Sequence, residues 1–125
     1  MEMIRCEDVA KQYQKGGEPF IERYTTKSIH FYRGNANPVL YHRCFDDLGD
    51  EEAKNNYGNY REVMKDVIET RYEHFIDYGL LTHFTTNLDM DDIEKRYGSR
   101  ARSRIMQMCN IIDIGTSVTA KDRRI

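Results

Sequence analysis

The sequence predicts an α/β fold, a parallel sheet flanked by helices, and three observations carry that prediction. Short apolar runs with strand character (residues 39–45, 80–86 and 110–114) alternate with segments of helical periodicity. Glycine, proline and asparagine fall between them as punctuation. A strand, helix, strand order needs crossover connections, and crossovers bring successive strands together in parallel.

The elements follow in order. Met3-Ile4-Arg5 is a candidate strand, the second of its sheet. Residues 7–15 read as a helix closed by Gly16-Gly17, and Pro19 suits the first turn of a second helix running toward Lys27. The cluster Arg33-Gly34-Asn35-Ala36-Asn37-Pro38 predicts a loop, residues 39–45 a strand, and the polar run 49–59 another loop. The clearest helix has Asn59 as its cap, with Glu62 completing a capping box. Tyr60, Val63, Met64, Val67, Ile68, Phe75 and Ile76 recur along it at helical spacing, and Gly79 ends it. After the strand 80–86, Asp89 caps a short helix from Met90 to Tyr97 that stops at Gly98. Another helix runs from Ser99 to about Met108, and the last strand, 110–114, ends at Gly115.

Composition narrows the function classes. At 125 residues, 39% hydrophobic and 32% charged, the chain suits one soluble domain. It has no long apolar run, and its start, MEMIRCEDVAK, has no signal-peptide pattern, so a cytoplasmic protein with no membrane partner is expected. Cys6, Cys44 and Cys109 form no CxxC pair, which argues for plain thiols over zinc or disulfides. A net charge of −2 argues against a domain built mainly to coat nucleic acid. The charge is uneven. From Lys95 onward eight basic residues face two acids, while Asp46 to Glu52 holds five acids in seven positions. The two stretches suit each other across a subunit boundary, or each is a solvated face.

Three segments carry chemistry. Cys44-Phe45-Asp46-Asp47-Leu48-Gly49-Asp50-Glu51 puts two carboxylates at the end of an apolar strand, where open parallel sheets hold their ligands. One carboxylate there can hold Mg²⁺ while its neighbour polarises a water; an acidic turn is the plainer alternative. Leu81-Thr82-His83-Phe84-Thr85-Thr86-Asn87 ends a strand in uncharged hydrogen-bonding groups, or simply begins a helix cap. In Tyr97-Gly98-Ser99-Arg100-Ala101-Arg102-Ser103-Arg104, the side chains of Arg100 and Arg104 share one helix face. Arginine's donor fork suits phosphate oxygens.

Taken in this order, the segments resemble the DnaC/IstB branch of AAA+ ATPases, the helicase loaders and transposition ATP-binding proteins. Asp46-Asp47-Leu48-Gly49 with Glu51 is similar to the family's Walker B pattern. Arg71-Tyr72 and the run from Leu81 to Leu88 are similar to its approach to sensor 1, and Tyr97-Gly98 through Ile105 is similar to its box VII. The resemblance implies Asp46 as Mg²⁺ and nucleotide ligand, Asp47 as the water-positioning carboxylate, Asn87 as sensor 1 and Arg104 as arginine finger. Arg124, or Arg123, would be the sensor 2 arginine. It implies ATP and Mg²⁺ as cofactors of the complete protein, and a homo-oligomer, a replicative helicase and single-stranded DNA as partners.

One departure is large. No GxxxxGK[ST] phosphate-binding loop occurs in the sequence, and Gly16-Gly17-Glu18 has no lysine after it. The chain therefore reads as one partial AAA+ domain, residues 1–125, a P-loop NTPase core lacking its first strand and inactive as an ATPase alone. It is expected to be a shortened product, a split gene product or a non-catalytic remnant that docks on a relative or self-associates. In the family order the missing strand lies between the strands at 80–86 and 110–114, which leaves the sheet open at its middle.

Overall fold

In the computed structural model, residues 1–56, 59–113 and the backbone of 123–124 are described. β1 (Glu2–Arg5) leads directly into α1 (Cys6–Gly16). Three successive 3-10 turns (Glu18–Phe20, Glu22–Tyr24, Thr26–Ser28) occupy the stretch predicted as one helix from Pro19. The cause is visible at Thr25, whose ψ of −106° breaks the helical path. A small antiparallel pair follows, β2 (Ile29–His30) with β3 (Val39–Leu40). The strand expected over 39–45 is therefore two: β3 ends at Leu40 and β4 (Arg43–Leu48) begins after a break.

The polar run after Gly49 is not all loop, because β5 (Lys54–Asn56) and β6 (Asn59–Arg61) pair antiparallel. This corrects the capping box. Asn59 belongs to β6, and α2 (Val63–Tyr78) starts behind Glu62, whose side chain caps nothing and bonds Arg96 instead. Tyr60 lies outside the helix and is exposed, as is Ile76. Gly79 ends α2 as expected: at φ 78° it takes the left-handed conformation and its N–H returns to His74 and Phe75 carbonyls. β7 (Thr82–Thr86) starts two residues after the predicted Leu80, while α3 (Met90–Tyr97) and α4 (Ser99–Met108) fall where the sequence put them, with the Asp89 carboxylate accepting the Asp92 N–H at 2.8 Å. β8 (Ile112–Asp113) starts two residues later than the strand predicted over 110–114, whose Ile114, with the following Gly115, lies outside the described residues.

The main sheet runs β1-β4-β7-β9-β8, where β9 is Arg123–Arg124. β1, β4 and β7 are parallel, as predicted. The gap expected between β7 and the last strand is filled: β9 pairs antiparallel with both β7 and β8. Strand edges carry unpaired amides and carbonyls, and those of β7 find their partners in the chain's own C-terminal residues.

One apolar cluster joins the layers. Phe45 of β4 and Phe84 of β7 stack at 5.7 Å, and around them pack Val9 and Tyr13 of α1, Met64, Val67 and Ile68 of α2, Ile93 of α3 and Ile105 of α4. Inside it lies one full charge. Arg71 of α2 is entirely buried. Its guanidinium donates to Thr82 Oγ1 at 2.7 Å and to the carbonyls of Tyr41 (3.0 Å), Leu81 (3.2 Å) and Tyr24 (3.4 Å). Burial first, and Arg43 second, pull its pKa down to about 9, which still leaves it charged at neutral pH. Arg71 thus ties the helix to three separate chain segments, a role its sequence context did not reveal. Of the thiols, Cys6 is buried, Cys44 and Cys109 are half-buried, and none of the three is in a disulfide.

Candidate functional site at the ends of β4 and β7

A break in strand register builds the site. Phe45 pairs with Phe84 and Leu48 with Thr86, so β4 spends one more residue than β7 over the same distance. Such a bulge re-aims the side chains beside it. Within it Asp47 adopts φ 59°, the one positive value outside glycine among the described residues. That left-handed conformation costs a non-glycine residue roughly 1 kcal/mol, and aspartate is among the residues that best tolerate it.

Thr85 and Thr86 hold the bulge in place. The Thr85 hydroxyl donates to Asp46 Oδ1 and accepts the Asp47 N–H at 2.9 Å. Thr86 Oγ1 donates to the Leu48 carbonyl at 2.5 Å and accepts the Leu88 N–H at 3.1 Å. The polar strand end picked out in the sequence therefore turns its hydroxyls toward the neighbouring strand.

The turn beyond is held just as firmly. Gly49 has φ 104°, and a Cβ there would lie 2.5 Å from Leu88 Cδ1, so only glycine fits. Its N–H donates to Glu51 Oε1 at 2.8 Å. Glu51 is buried; the Tyr97 hydroxyl donates to its other oxygen, and Arg96 stands 3.4 Å away. Arg96 also donates to the carbonyls of Gly49 and Glu51 and forks onto Glu62 at 3.1 Å. Burial raises the Glu51 pKa, while the Tyr97 and Gly49 bonds act in the opposite direction. Glu51 is thus an anchor for the turn. Sequence reading missed Arg96 and Tyr97 as its partners, because their distance along the chain hides the contact.

The predicted residues divide into two groups. Asp46 and Asp47 sit half-buried at the C-terminal end of β4, and exposed Asn87 directly follows β7 at the same end. The backbone of Arg124 lies opposite Thr85 in the β7–β9 register. Arg104 is seated elsewhere, on the α2–α4 face, with its guanidinium 4.2 Å over the Tyr72 ring. Arg102, on another face of α4, pairs with Asp91 at 3.0 Å. Two of the basic residues after Lys95, Arg96 and Arg102, thus meet acids of their own chain.

Among the described residues no three His, Cys, Asp or Glu side chains converge as a metal-binding group. Also among them, no helix is long and apolar enough to cross a membrane. No protein-family profile, curated protein or solved structure matches the chain.

Proposed function

We propose that the chain is the C-terminal part of a DnaC/IstB-like AAA+ ATPase, serving helicase loading in DNA replication or transposition. The observation that carries this reading is the bulge at Asp46-Asp47, where a left-handed aspartate is held by a threonine of the adjacent parallel strand. Backbone strain of this kind gathers at functional sites.

In this reading Asp46, fixed by Thr85, is the ligand for Mg²⁺, and its hard oxygen suits that ion. A bound Mg²⁺ would neutralise charge on the phosphates of ATP. Two carboxylates are too few for a closed metal cage, which fits an ion that takes its remaining ligands from phosphate and water. Asp47 would orient the attacking water, Asn87 would contact the γ-phosphate, and Arg124 would lie beside the same strand end. Arg104, away from this cluster and with no ion pair among the described residues, is suited to a neighbouring subunit's site in a homo-oligomer. Helicase, single-stranded DNA and a cytoplasmic setting belong to this reading of the complete protein. A second reading, a docking module or remnant that hydrolyses nothing, is favoured by the absence of any GxxxxGK[ST] in the sequence.

Turnover of ATP decides between them. The 125-residue chain should release no phosphate. A folded fusion carrying the P-loop segment of a complete family member ahead of Met1 should hydrolyse ATP. In that fusion, Asp47→Asn and Arg104→Gln should each lower the rate by about 10²-fold or more. A folded fusion without turnover, or with turnover indifferent to both substitutions, overturns the proposal.

A further inference from the structure

The opposite end of the sheet carries a second concentration of chemistry. A cavity of about 490 Å³ opens at the start of β4, lined by Arg23, Lys27, His30, Tyr41 and Arg43. That volume is in the range of pockets that hold small organic ligands. The lining comes from a stretch of unusual charge: residues 23–43 contain Arg23, Lys27, Arg33 and Arg43 and no acid.

Local carboxylates do not neutralise the site. Lys27 meets Glu22 at 3.3 Å, and Arg43 meets Glu2. Arg23 makes no ion pair among the described residues, so three lining cations face two carboxylates. The Arg43 guanidinium is stacked 5.0 Å over the Tyr24 ring, which holds that cation in the cavity wall.

Aromatic rings flank the same opening. Tyr41 lines the cavity, and Tyr32 lies exposed beside His30 of its lining, with Phe31 exposed on the same segment joining β2 to β3. Tyr32 packs edge-on to His30 at 4.3 Å, and Phe31 edge-on to Tyr78 at 5.5 Å. Exposed rings held in place next to cations form the arrangement on which nucleic-acid bases stack while their phosphates are neutralised. Carboxylate ligands would use the cations but leave the rings idle.

We infer that this cavity binds a nucleoside phosphate, free or as one unit of a single strand, with the phosphate among Arg23, Lys27 and Arg43 and the base against Tyr41. The site is separate from the carboxylates at the other end of β4 and does not depend on the ATPase reading.

The test is a binding titration of the ¹⁵N-labelled chain, followed by amide shifts, with AMP, inorganic phosphate and a short oligothymidylate as probes. Shifts should saturate and map to residues 23–43. The double variant Arg23→Gln/Lys27→Gln touches exposed side chains and should fold normally. It should weaken AMP by about tenfold or more, whereas Lys11→Gln/Lys15→Gln on α1 should change it less than about twofold. Tyr41→Leu should weaken AMP while leaving inorganic phosphate unchanged. AMP binding as tightly as the oligonucleotide identifies a free nucleotide as the ligand; tighter oligonucleotide binding identifies a strand. Absence of saturable binding at millimolar probe overturns the inference. So does equal weakening by the two double variants, or inorganic phosphate binding as well as AMP.

Discussion

The hydroxyl of Thr85 accepts the backbone N–H of Asp47 at 2.9 Å, and through that bond a neighbouring strand fixes the left-handed turn of the carboxylate. The same hydroxyl donates to Asp46. Thr85→Val keeps the shape and removes both bonds. It should lower stability by about 1–3 kcal/mol in a urea titration, with Thr85→Ser restoring most of the loss. Asp47→Gly should match or exceed wild-type stability by up to about 1 kcal/mol, because glycine adopts the positive φ without strain. A clear loss in Asp47→Gly would mean that the aspartate side chain, and not the backbone, holds the bulge.

Arg71 should be the most costly single residue to remove. Arg71→Met fills similar space but takes a donor away from Thr82 Oγ1 and three carbonyls, of which that of Leu81 keeps the Arg43 N–H at 3.3 Å. A loss of about 3–5 kcal/mol is expected by denaturation. A loss below about 1 kcal/mol would show that water takes over these acceptors.

Tyr97→Phe deletes a donor to the buried Glu51 carboxylate and should cost about 1.5–3 kcal/mol at neutral pH. The Glu51 pKa is raised by burial, so its ionisation in the folded state opposes folding as pH rises through that raised value. The Tyr97 bond offsets part of this penalty for the ionised form. The gap between Tyr97→Phe and wild type should therefore narrow as pH falls through that raised value, where Glu51 takes up its proton. A gap independent of pH would count against this account.

Two histidines make the fold acid-sensitive. His42 Nδ1 accepts the Leu81 N–H at 2.9 Å, so it must be unprotonated there. His74 Nδ1 meets Ser28 Oγ at 2.8 Å, and since the Ser28 hydroxyl donates to the Thr25 carbonyl, His74 is the donor in that contact. Burial first and Arg71 second lower both pKa values from 6.5. Groups with depressed folded values contribute stability that is present above the unfolded pKa and lost as pH falls through the folded one. Denaturation midpoints should therefore drop as pH falls below about 6.5, the unfolded value. His42→Asn, which keeps an acceptor without titrating, should flatten that drop.

Arg104→Gln removes a stacking contact with Tyr72 and should cost no more than about 1 kcal/mol. A larger loss in thermal unfolding would make Arg104 a structural residue and weaken its assignment to a neighbouring subunit's site.

Local patterns settled much of this protein without tertiary information. Asp89 and Gly98 bound α3 because caps act through adjacent backbone, and the apolar runs of β4 and β7 mark strands buried between helices. The Asp46-Asp47 pair and Asn87 were legible because strand ends in a parallel sheet share one edge. Other features depend on residues far apart in the chain. Asn59 entered a hairpin strand because Lys54–Asn56 was there to pair with it, and the capping box gave way. The bulge at Asp47, the Glu51–Arg96–Tyr97 anchor and the cluster of acceptors around Arg71 all join positions whose proximity only packing creates. The same holds for β9, which sits beside β7 because an exposed strand edge takes the partner within reach. Sequence by itself determined the α/β class and the order of the main helices and parallel strands; tertiary structure decided several of their boundaries and which polar groups meet, since a hydrogen bond is satisfied in space whatever the separation along the chain.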